Sequence, residues 1–324
     1  MADYRKDPGA ERVLAALNER LAALERDLIA PFDTPRHPVV FIVGAPRSGT
    51  TLLEQLLLTR FEFGYVDNLI ARFWLAPYVG SVLAAQLRNP ARPPAVGSHS
   101  DYGATHGSEG PHEFGYFWRR WFAYGETHDV GDTVVRDQDR ALLSQELAAM
   151  ESVFDRPLVL KNPVCSFHIE FLSRAVPGSL FVHCRREPVY AAQSILEARM
   201  RYHGDREAWF SLRPAAFKRL QRLPYPEQIA GQVFATREAV DRQFASLPAP
   251  RTRSLDYEAL CAAPEQELDH LAAWMADRGC TLRRRRQALP AVASTNTVRL
   301  DRQEFEALQK ACQARLAAAG SPST

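Results

Sequence analysis

The sequence predicts an α/β fold in which a mainly parallel central sheet is flanked by helices. Short apolar segments alternate with longer amphipathic segments along most of the 324 residues, which is typical of such a sheet. Two of the apolar segments, residues 39–43 and 180–184, lead directly into a turn and a helix start. Clusters of proline and glycine at 89–97 and 103–111 indicate loops within one domain. We therefore expect one domain that binds its ligand at the carboxyl ends of the strands.

The first predicted element is an amphipathic helix over residues 11–29. Its leucines at positions 14, 17, 21, 24 and 28 follow a three-four spacing, and charged residues occupy the opposite face. We expect this helix to pack on the domain. The alternative is that it pairs with a second subunit in a homodimer.

The remaining elements follow from hydrophobic periodicity and from the positions of proline and glycine. Strands are expected at 39–43, 158–160, 180–184 and 252–255. Helices are expected at 50–60, 68–87, 140–154, 167–175, 188–203, 228–247, 265–277 and from 303, with an aromatic helix within 113–124.

The turn after the first strand has the geometry of a phosphate-binding loop. Gly44 and Gly49 are separated by four residues between an apolar strand and a helix start, where free amides and the helix dipole attract an anion. The P-loop of NTPases requires lysine next, but this chain has Thr50. Arg47 is the fixed cation of the loop, and its hydroxyl donors are Ser48, Thr50 and Thr51. The sequence therefore predicts a phosphate ligand that needs no metal.

A second pattern follows the strand at 180–184. Arg186 stands at its carboxyl end, Pro188 fits the first turn of a helix, and Ser194 comes eight residues after Arg186. A planar guanidinium binds phosphate through two parallel hydrogen bonds, and a helical hydroxyl can complete such a site. The alternative interpretation is a surface arginine and a solvent-facing serine.

Together these two patterns resemble the sulfotransferases that use 3′-phosphoadenosine-5′-phosphosulfate (PAPS). Residues 47–51 resemble the 5′-phosphosulfate loop, and Arg186 and Ser194 occupy the positions that clamp the 3′-phosphate in that family. Tyr257 and Glu258, with Leu260 and Pro264, resemble a segment found late in many members. Ser294 and Thr295, in the loop before the last helix, are assigned to the cofactor as well.

The resemblance covers about residues 39–300 and is weakest between 65 and 155. It implies a P-loop-like sulfotransferase fold with helical substrate-binding insertions, PAPS as donor, adenosine 3′,5′-bisphosphate as product, and no metal. Residues 1–324 are then a single sulfotransferase domain. Its expected parts are an N-terminal amphipathic helix (1–37), the 5′-phosphosulfate loop unit (38–64), a substrate region (65–157), the 3′-phosphate unit with the remaining core (158–300), and a C-terminal helix and tail (301–324).

Sulfuryl transfer needs positive charge for the leaving phosphate and a base for the acceptor hydroxyl. Lys161 ends the strand at 158–160, where the family often carries a catalytic lysine, and only four of the 40 basic residues are lysine. We assign it, with Arg47, to the leaving phosphate. The alternative is an ordinary lysine at a strand end.

The two bases that the family uses are both replaced in this chain. One branch carries a glutamate near Asn68, and another carries a histidine where Pro163 stands here. Candidates remain in the segment 99–113, which is rich in histidines and carboxylates. His112 and Glu113 are placed best, with His99, Asp101, His106 and Glu109 behind them.

The acceptor is expected to be a hydroxyl group of a carbohydrate-containing or other small molecule. Most aromatic side chains of the helix within 113–124 are expected in the core, and one or two of them in the acceptor pocket. These aromatic residues are Phe114, Tyr116, Phe117, Trp118, Trp121 and Phe122.

Composition excludes several other classes. A net charge of +2 gives no argument for nucleic acid, and five scattered cysteines argue against zinc and against a disulfide framework. Neither an apolar leader nor a run of ~20 apolar residues is present, so we expect a cytoplasmic enzyme without a membrane span. Two alternatives stay open: an ATP-dependent small-molecule kinase with a degenerate P-loop, and a non-catalytic PAPS-binding protein.

Overall fold

Four parallel strands form the central sheet of the computed structural model, which describes residues 7–88, 105–122, 125–129 and 137–320. Strands β1 (Val40–Val43), β2 (Val159–Lys161), β3 (Leu180–Arg185) and β4 (Thr252–Asp256) lie in the order β2-β1-β3-β4. Every neighbouring pair is parallel. The predicted fold class is confirmed.

Helices connect the strands and cover both faces of the sheet. The described helices are α1 (Pro8–Ile29), α2 (Thr50–Arg60), α3 (Pro77–Leu87), α4 (Gly115–Trp121), α5 (Asp137–Phe154), α6 (Ile169–Ala175), α7 (Pro188–His203), α8 (Phe217–Leu220), α9 (Tyr225–Ser246), α10 (Tyr257–Ala262), α11 (Pro264–Ala276) and α12 (Arg302–Gly320). The predicted bounds of α2 and α7 are confirmed to the residue.

The single helix predicted over 68–87 is wrong. A 3₁₀ turn at Ile70–Arg72 is followed by a break, and α3 begins only at Pro77. Ala76 has φ −143° and ψ 57°, outside the helical region, because a proline disfavours the α conformation of the residue before it.

Alternate residues of β1 face opposite sides of the sheet and nucleate two parts of the core. Phe41 packs on one side, with ring centroids 5.4 Å from Phe181 and 6.2 Å from Trp118 of α4. Ile42 packs on the other side in a cluster with leucines of α2 and α11. Most aromatic residues of the segment 114–122 are buried on the first side, so they serve the core as expected.

Helix α1 packs on the domain, as predicted. Its contacts are made in part by polar residues, and several leucines of the predicted apolar face are exposed. The Asn18 amide donates to the carbonyl of Arg72, and both Glu25 carboxylate oxygens accept amides in the first turn of α3. Leu17 and Leu24, in contrast, are exposed. Pairing with a second subunit stays a prediction. None of the described helices is both long and apolar enough to cross a membrane.

Candidate active site

Three neighbouring strands end at one edge of the sheet, and the predicted motifs meet there. The phosphate-binding loop follows β1, Lys161 ends β2, and Arg186 follows β3 directly. The edge opens into a cavity of about 460 Å³. Its lining includes Arg47, Thr51, Glu113, Arg186, Tyr257 and Thr295.

Close packing fixes the path of the loop. A Cβ atom on Gly44 would lie 2.6 Å from the carbonyl oxygen of Cys184 in β3, so only glycine fits there. The Ser166 hydroxyl accepts the Gly44 amide at 2.9 Å and donates to the Gly44 carbonyl at 3.1 Å. Gly49 caps α2 with φ +94°, and a Cβ atom there would lie 2.5 Å from the Tyr257 ring. The loop is therefore held between β3 and α10.

The two predicted phosphate motifs are joined by direct hydrogen bonds. Nε of Arg47 donates to Oγ of Ser194 at 2.9 Å, although the two residues are 147 positions apart. Nη1 of Arg186 donates to the carbonyl oxygen of Arg47 at 3.0 Å. These bonds show that the loop and the strand-end arginine belong to one site.

The Arg186 guanidinium donates its hydrogen bonds to neutral polar groups. Its Nε donates to Oδ1 of Asn296 at 2.7 Å, and its Nη2 donates to Oγ1 of Thr295 at 3.0 Å. The guanidinium carbon lies 4.6 Å from the centroid of the Tyr257 ring. Burial lowers the pKa of Arg186, and the nearby Glu258 opposes this effect only in part. Such a buried cation is suited to an anionic ligand.

Tyr257 connects the separate parts of this candidate site. Its hydroxyl accepts the Thr295 amide at 2.9 Å and bonds to the Thr295 hydroxyl at 3.0 Å, while its ring packs against Gly49. Asn296 adds a second link, because its amide donates to Glu258 at 2.7 Å. The sequence motif that includes Tyr257 predicted no role for this residue, and no motif indicated Asn296.

Of the predicted cofactor residues, Ser48, Ser194 and Ser294 do not line the cavity, and Ser194 is connected to it through its bond to Arg47. The Ser48 side chain is buried behind the loop, and its carbonyl oxygen accepts a hydrogen bond from the Cys184 thiol at 3.0 Å. The Ser294 hydroxyl accepts the amide of Asn296 at 3.2 Å. Ser48 and Ser294 therefore shape the site from outside the cavity, while Thr50 and Thr51 at the start of α2 lie on its wall.

Lys161 is buried next to the cavity, between two carboxylates. Its Nζ lies 2.8 Å from Oε1 of Glu113, 3.1 Å from the Thr51 hydroxyl and 3.8 Å from Oε2 of Glu54. Burial alone would lower the pKa of Lys161, but Glu113 and Glu54 together raise it above its usual value. The ammonium form therefore persists in the folded protein.

Glu54 is a site residue that sequence reasoning missed. It lies on α2, and burial raises its pKa to about 7, against the opposing effect of Lys161. The signal was available: a carboxylate stands within the run LLEQLLL, where apolar residues surround it in sequence. Charged residues are almost never fully buried unless they are paired.

The structure separates the two preferred candidates for the base. Glu113 lines the cavity, and its carbonyl oxygen accepts the Asn162 amide at 2.7 Å. His112 lies instead on the wall of a different cavity, and its Nδ1 accepts the amide of Phe114 at 2.8 Å. Phe114 has φ +55°, so the chain turns sharply at this point. Glu113 is therefore the candidate base, and the geometry does not bring His112 to Lys161.

The other described acid–base candidates, His106 and Glu109, do not line this cavity. His106 lines the cavity that His112 lines, and the main-chain carbonyl of Glu109 accepts the Tyr65 hydroxyl. His99 and Asp101 lie outside the described residues. Asn68 holds a loop, because its amide donates to the carbonyl oxygens of Thr105 and Gly107.

The described residues contain neither a metal-binding cluster nor a cysteine pair. Within the described ranges, no group of three or more histidine, cysteine, aspartate or glutamate side chains could hold a metal ion. All five cysteines are free and buried. Among the described residues, the charged ones that line the cavity are Arg47, Glu113 and Arg186, and the Lys161 ammonium contacts two lining residues, Thr51 and Glu113.

Comparison with known proteins gives a consistent result. The sequence model described as the sulfotransferase family matches residues 38–276 of this chain. Two relatives, each named omega-hydroxy-beta-dihydromenaquinone-9 sulfotransferase Stf3, come from Mycobacterium bovis and Mycobacterium tuberculosis. Each is 26% identical over 286 residues, a match that covers 80% of this chain and 69% of the relative.

A solved structure shares the fold. The crystal structure of sulfotransferase STF9 from Mycobacterium avium superimposes with a TM-score of 0.52 at 14% identity. The match covers 99% of this chain and 80% of that chain. At this level of identity the likeness supports the architecture and nothing finer.

Proposed function

Because this chain belongs to the sulfotransferase family, we propose that it transfers the sulfuryl group of PAPS to a hydroxyl group of a small-molecule acceptor. The observation that carries the proposal is the joined pair of phosphate motifs. Arg186 bonds to the Arg47 carbonyl and Arg47 bonds to Ser194, so two cationic groups face one cavity. PAPS carries a 3′-phosphate and a 5′-phosphosulfate, so its binding needs two cationic groups such as Arg47 and Arg186.

The hydrogen-bond donors and cations of this site suit both phosphate-bearing ends of PAPS. Arg47, Thr50 and Thr51 surround the start of α2, where first-turn amides have no intrahelical partner, and would hold the 5′-phosphosulfate. Arg186, Ser194 and Thr295 would hold the 3′-phosphate. PAPS supplies an activated sulfuryl group whose leaving group is a phosphate. The protein then has to position the acceptor and stabilise negative charge.

Glu113 and Lys161 provide the chemistry on the acceptor side. Glu113 accepts the proton of the acceptor hydroxyl as the new S–O bond forms and the S–O bond to the leaving phosphate breaks. The Lys161 ammonium has three donors, of which Thr51 and Glu113 take two. Its remaining N–H group, together with Arg47, would stabilise the charge that develops on the leaving phosphate.

A hydroxyl of a small molecule is the acceptor that suits the cavity best. Leu52, Pro163, Phe210 and Val292 contribute apolar surface to a wall that also carries Glu113. A carbohydrate-containing molecule and other small hydroxyl compounds both fit this mixture. The related mycobacterial sulfotransferases are named for an omega-hydroxy compound, which is consistent with a hydroxyl acceptor.

The test is direct turnover. The protein is incubated with labelled PAPS and a pool of hydroxyl acceptors (sugars, phenols, lipid alcohols), with and without EDTA. Products are then identified by mass. A sulfated acceptor that forms equally well in EDTA is the expected result. Absence of any sulfated product, together with phosphorylation of an acceptor by ATP that EDTA stops, would overturn the proposal in favour of a kinase.

A further inference from the structure

Glu54 is a second carboxylate beside the candidate catalytic lysine, and the proposed reaction gives it no role. Its side chain is 2% exposed, and its Oε2 lies 3.8 Å from Nζ of Lys161. Oε2 has no hydrogen-bond partner among the described residues. Three nearby residues on α2, Leu53, Leu56 and Leu57, belong to the hydrophobic core.

Stability does not explain a carboxylate at this position. A buried ion pair is often no more stable than well-packed apolar residues of the same volume. Lys161 already has a close partner in Glu113 and a hydroxyl partner in Thr51. A leucine would therefore serve the core at position 54 at least as well, as it does at positions 53, 56 and 57.

The charges around Lys161 change during the proposed reaction. In the resting site the ammonium is paired with Glu113 at 2.8 Å. Once Glu113 has taken the proton of the acceptor, it is neutral and no longer compensates the ammonium. Glu54 is then the remaining carboxylate among the described residues within 4.0 Å of Nζ.

We propose that Glu54 is a positioning residue, which holds the Lys161 ammonium at the end of β2 while Glu113 carries the proton of the acceptor. The inference rests on the proposed sulfuryl transfer. The proton goes from the acceptor oxygen to Glu113, the sulfuryl group goes from the leaving phosphate to that oxygen, and Glu54 keeps its charge throughout. Lys161 thereby stays able to donate to the leaving phosphate.

This role predicts a pH dependence of turnover. The charged groups that face Glu54 are Lys161 and Glu113, and Arg47 faces Lys161 from the loop. Burial raises the pKa of Glu54 to about 7, Lys161 lowers it, and Glu113 raises it further. Protonation of Glu54 below this pH removes the charge that holds Lys161. The kcat of the natural protein should therefore fall as the pH drops through about 7.

The test compares Glu54→Gln and Glu54→Asp with the natural protein between pH 5.5 and 9, a range of roughly two units around that transition. Glu54→Gln should lower kcat at high pH by roughly 10–100-fold, the effect typical of residues that support a reactive group from behind. It should also abolish the fall near neutral pH. Glu54→Asp keeps the charge and should retain the fall, with a kcat between the other two. The affinity for adenosine 3′,5′-bisphosphate, measured by calorimetry, should stay within about threefold, since Glu54 contacts no part of the phosphate clamps.

Glu146→Gln is the matched control. Glu146 is also buried, its pKa is also raised to about 7, and it pairs with Arg120 on helix α4. Its substitution should leave the pH profile of kcat unchanged. An unchanged kcat in Glu54→Gln would overturn the inference. A loss of bisphosphate affinity as large as the loss of kcat would also overturn it, because Glu54 would then support the phosphate-binding loop. If the natural protein sulfates no acceptor, the proposed function fails first and the role of Glu54 fails with it.

Discussion

The assignment of the 3′-phosphate clamp can be tested at a single side chain, Arg186. Arginine has five N–H donors, and three of them donate to Asn296, to Thr295 and to the carbonyl of Arg47. One N–H therefore remains on each of Nη1 and Nη2, which is the arrangement that binds phosphate through two parallel bonds. Arg186→Gln removes both remaining donors and the charge.

The size of the effect follows from these two bonds. A hydrogen bond to a charged group contributes roughly 1.5–3 kcal/mol, so the pair contributes at least about 3 kcal/mol. Since about 1.4 kcal/mol is a factor of ten in affinity, Arg186→Gln should weaken binding of adenosine 3′,5′-bisphosphate about 10²-fold or more. Binding of AMP, which lacks the 3′-phosphate, should change far less.

Isothermal titration calorimetry with the two nucleotides measures this difference as a ratio of dissociation constants. AMP serves as the internal control, because any general disturbance of the Arg47 loop weakens both ligands. Arg185→Gln is the matched variant: it is the preceding residue, but its guanidinium binds Asp241 at 2.7 Å. The natural protein and Arg185→Gln should both prefer the bisphosphate. Equal affinity of the natural protein for both nucleotides, or an unchanged ratio in Arg186→Gln, would refute the assignment.

Three further predictions concern the groups around the lysine. Lys161→Ala should lower kcat and leave the affinity for adenosine 3′,5′-bisphosphate nearly unchanged in calorimetry, since the ammonium acts on charge that develops only during transfer; a normal kcat would make it an ordinary strand-end lysine. Glu113→Gln should reduce kcat by about 10²–10⁴-fold in the PAPS assay, whereas His112→Gln should not, and the reverse result would move the base to the other cavity. Burial raises the pKa of Glu54 from 4.5 to about 7, so its favourable contribution to folding is complete below pH 4.5 and is lost as the pH rises through 7. That contribution is on the order of 3 kcal/mol, and urea unfolding of Glu54→Gln should show a correspondingly smaller loss of stability between pH 4.5 and 8; an equal loss in both proteins would contradict it.

Sequence patterns predicted the central fold because they are local. Proline at the first helical position and glycine at the end fix the bounds of α7 without any tertiary information. The break before α3 was also encoded locally, by Pro77, but the apolar composition of 68–87 masked it. The buried face of α1 was not accessible in this way, since Asn18 and Glu25 are buried for the hydrogen bonds they make with a neighbouring segment.

The phosphate-binding loop could be predicted from the sequence, whereas the candidate base and its surroundings could not. Loop residues 44–51 are contiguous, so their sequence alone indicates a phosphate site. The choice between His112 and Glu113 depends on a positive φ at the next residue and on a bond from Asn162, neither of which a residue pattern records. Hydrophobic periodicity did not predict the position of Glu54, because α2 is buried on nearly every side and therefore has no distinct apolar face.

The missing family base and the candidate base are connected through one loop. The resemblance places a glutamate of one branch of sulfotransferases near Asn68, and an amide cannot accept the proton of a hydroxyl. Asn68 instead donates to the carbonyl oxygens of Thr105 and Gly107, in the segment that leads to Glu113. The same segment is held again at its far end, where Asn162 binds the Glu113 carbonyl. The amide at position 68 thus helps to hold the loop that carries the candidate base Glu113, so a residue that cannot itself act as a base still supports the segment on which the proposed base depends.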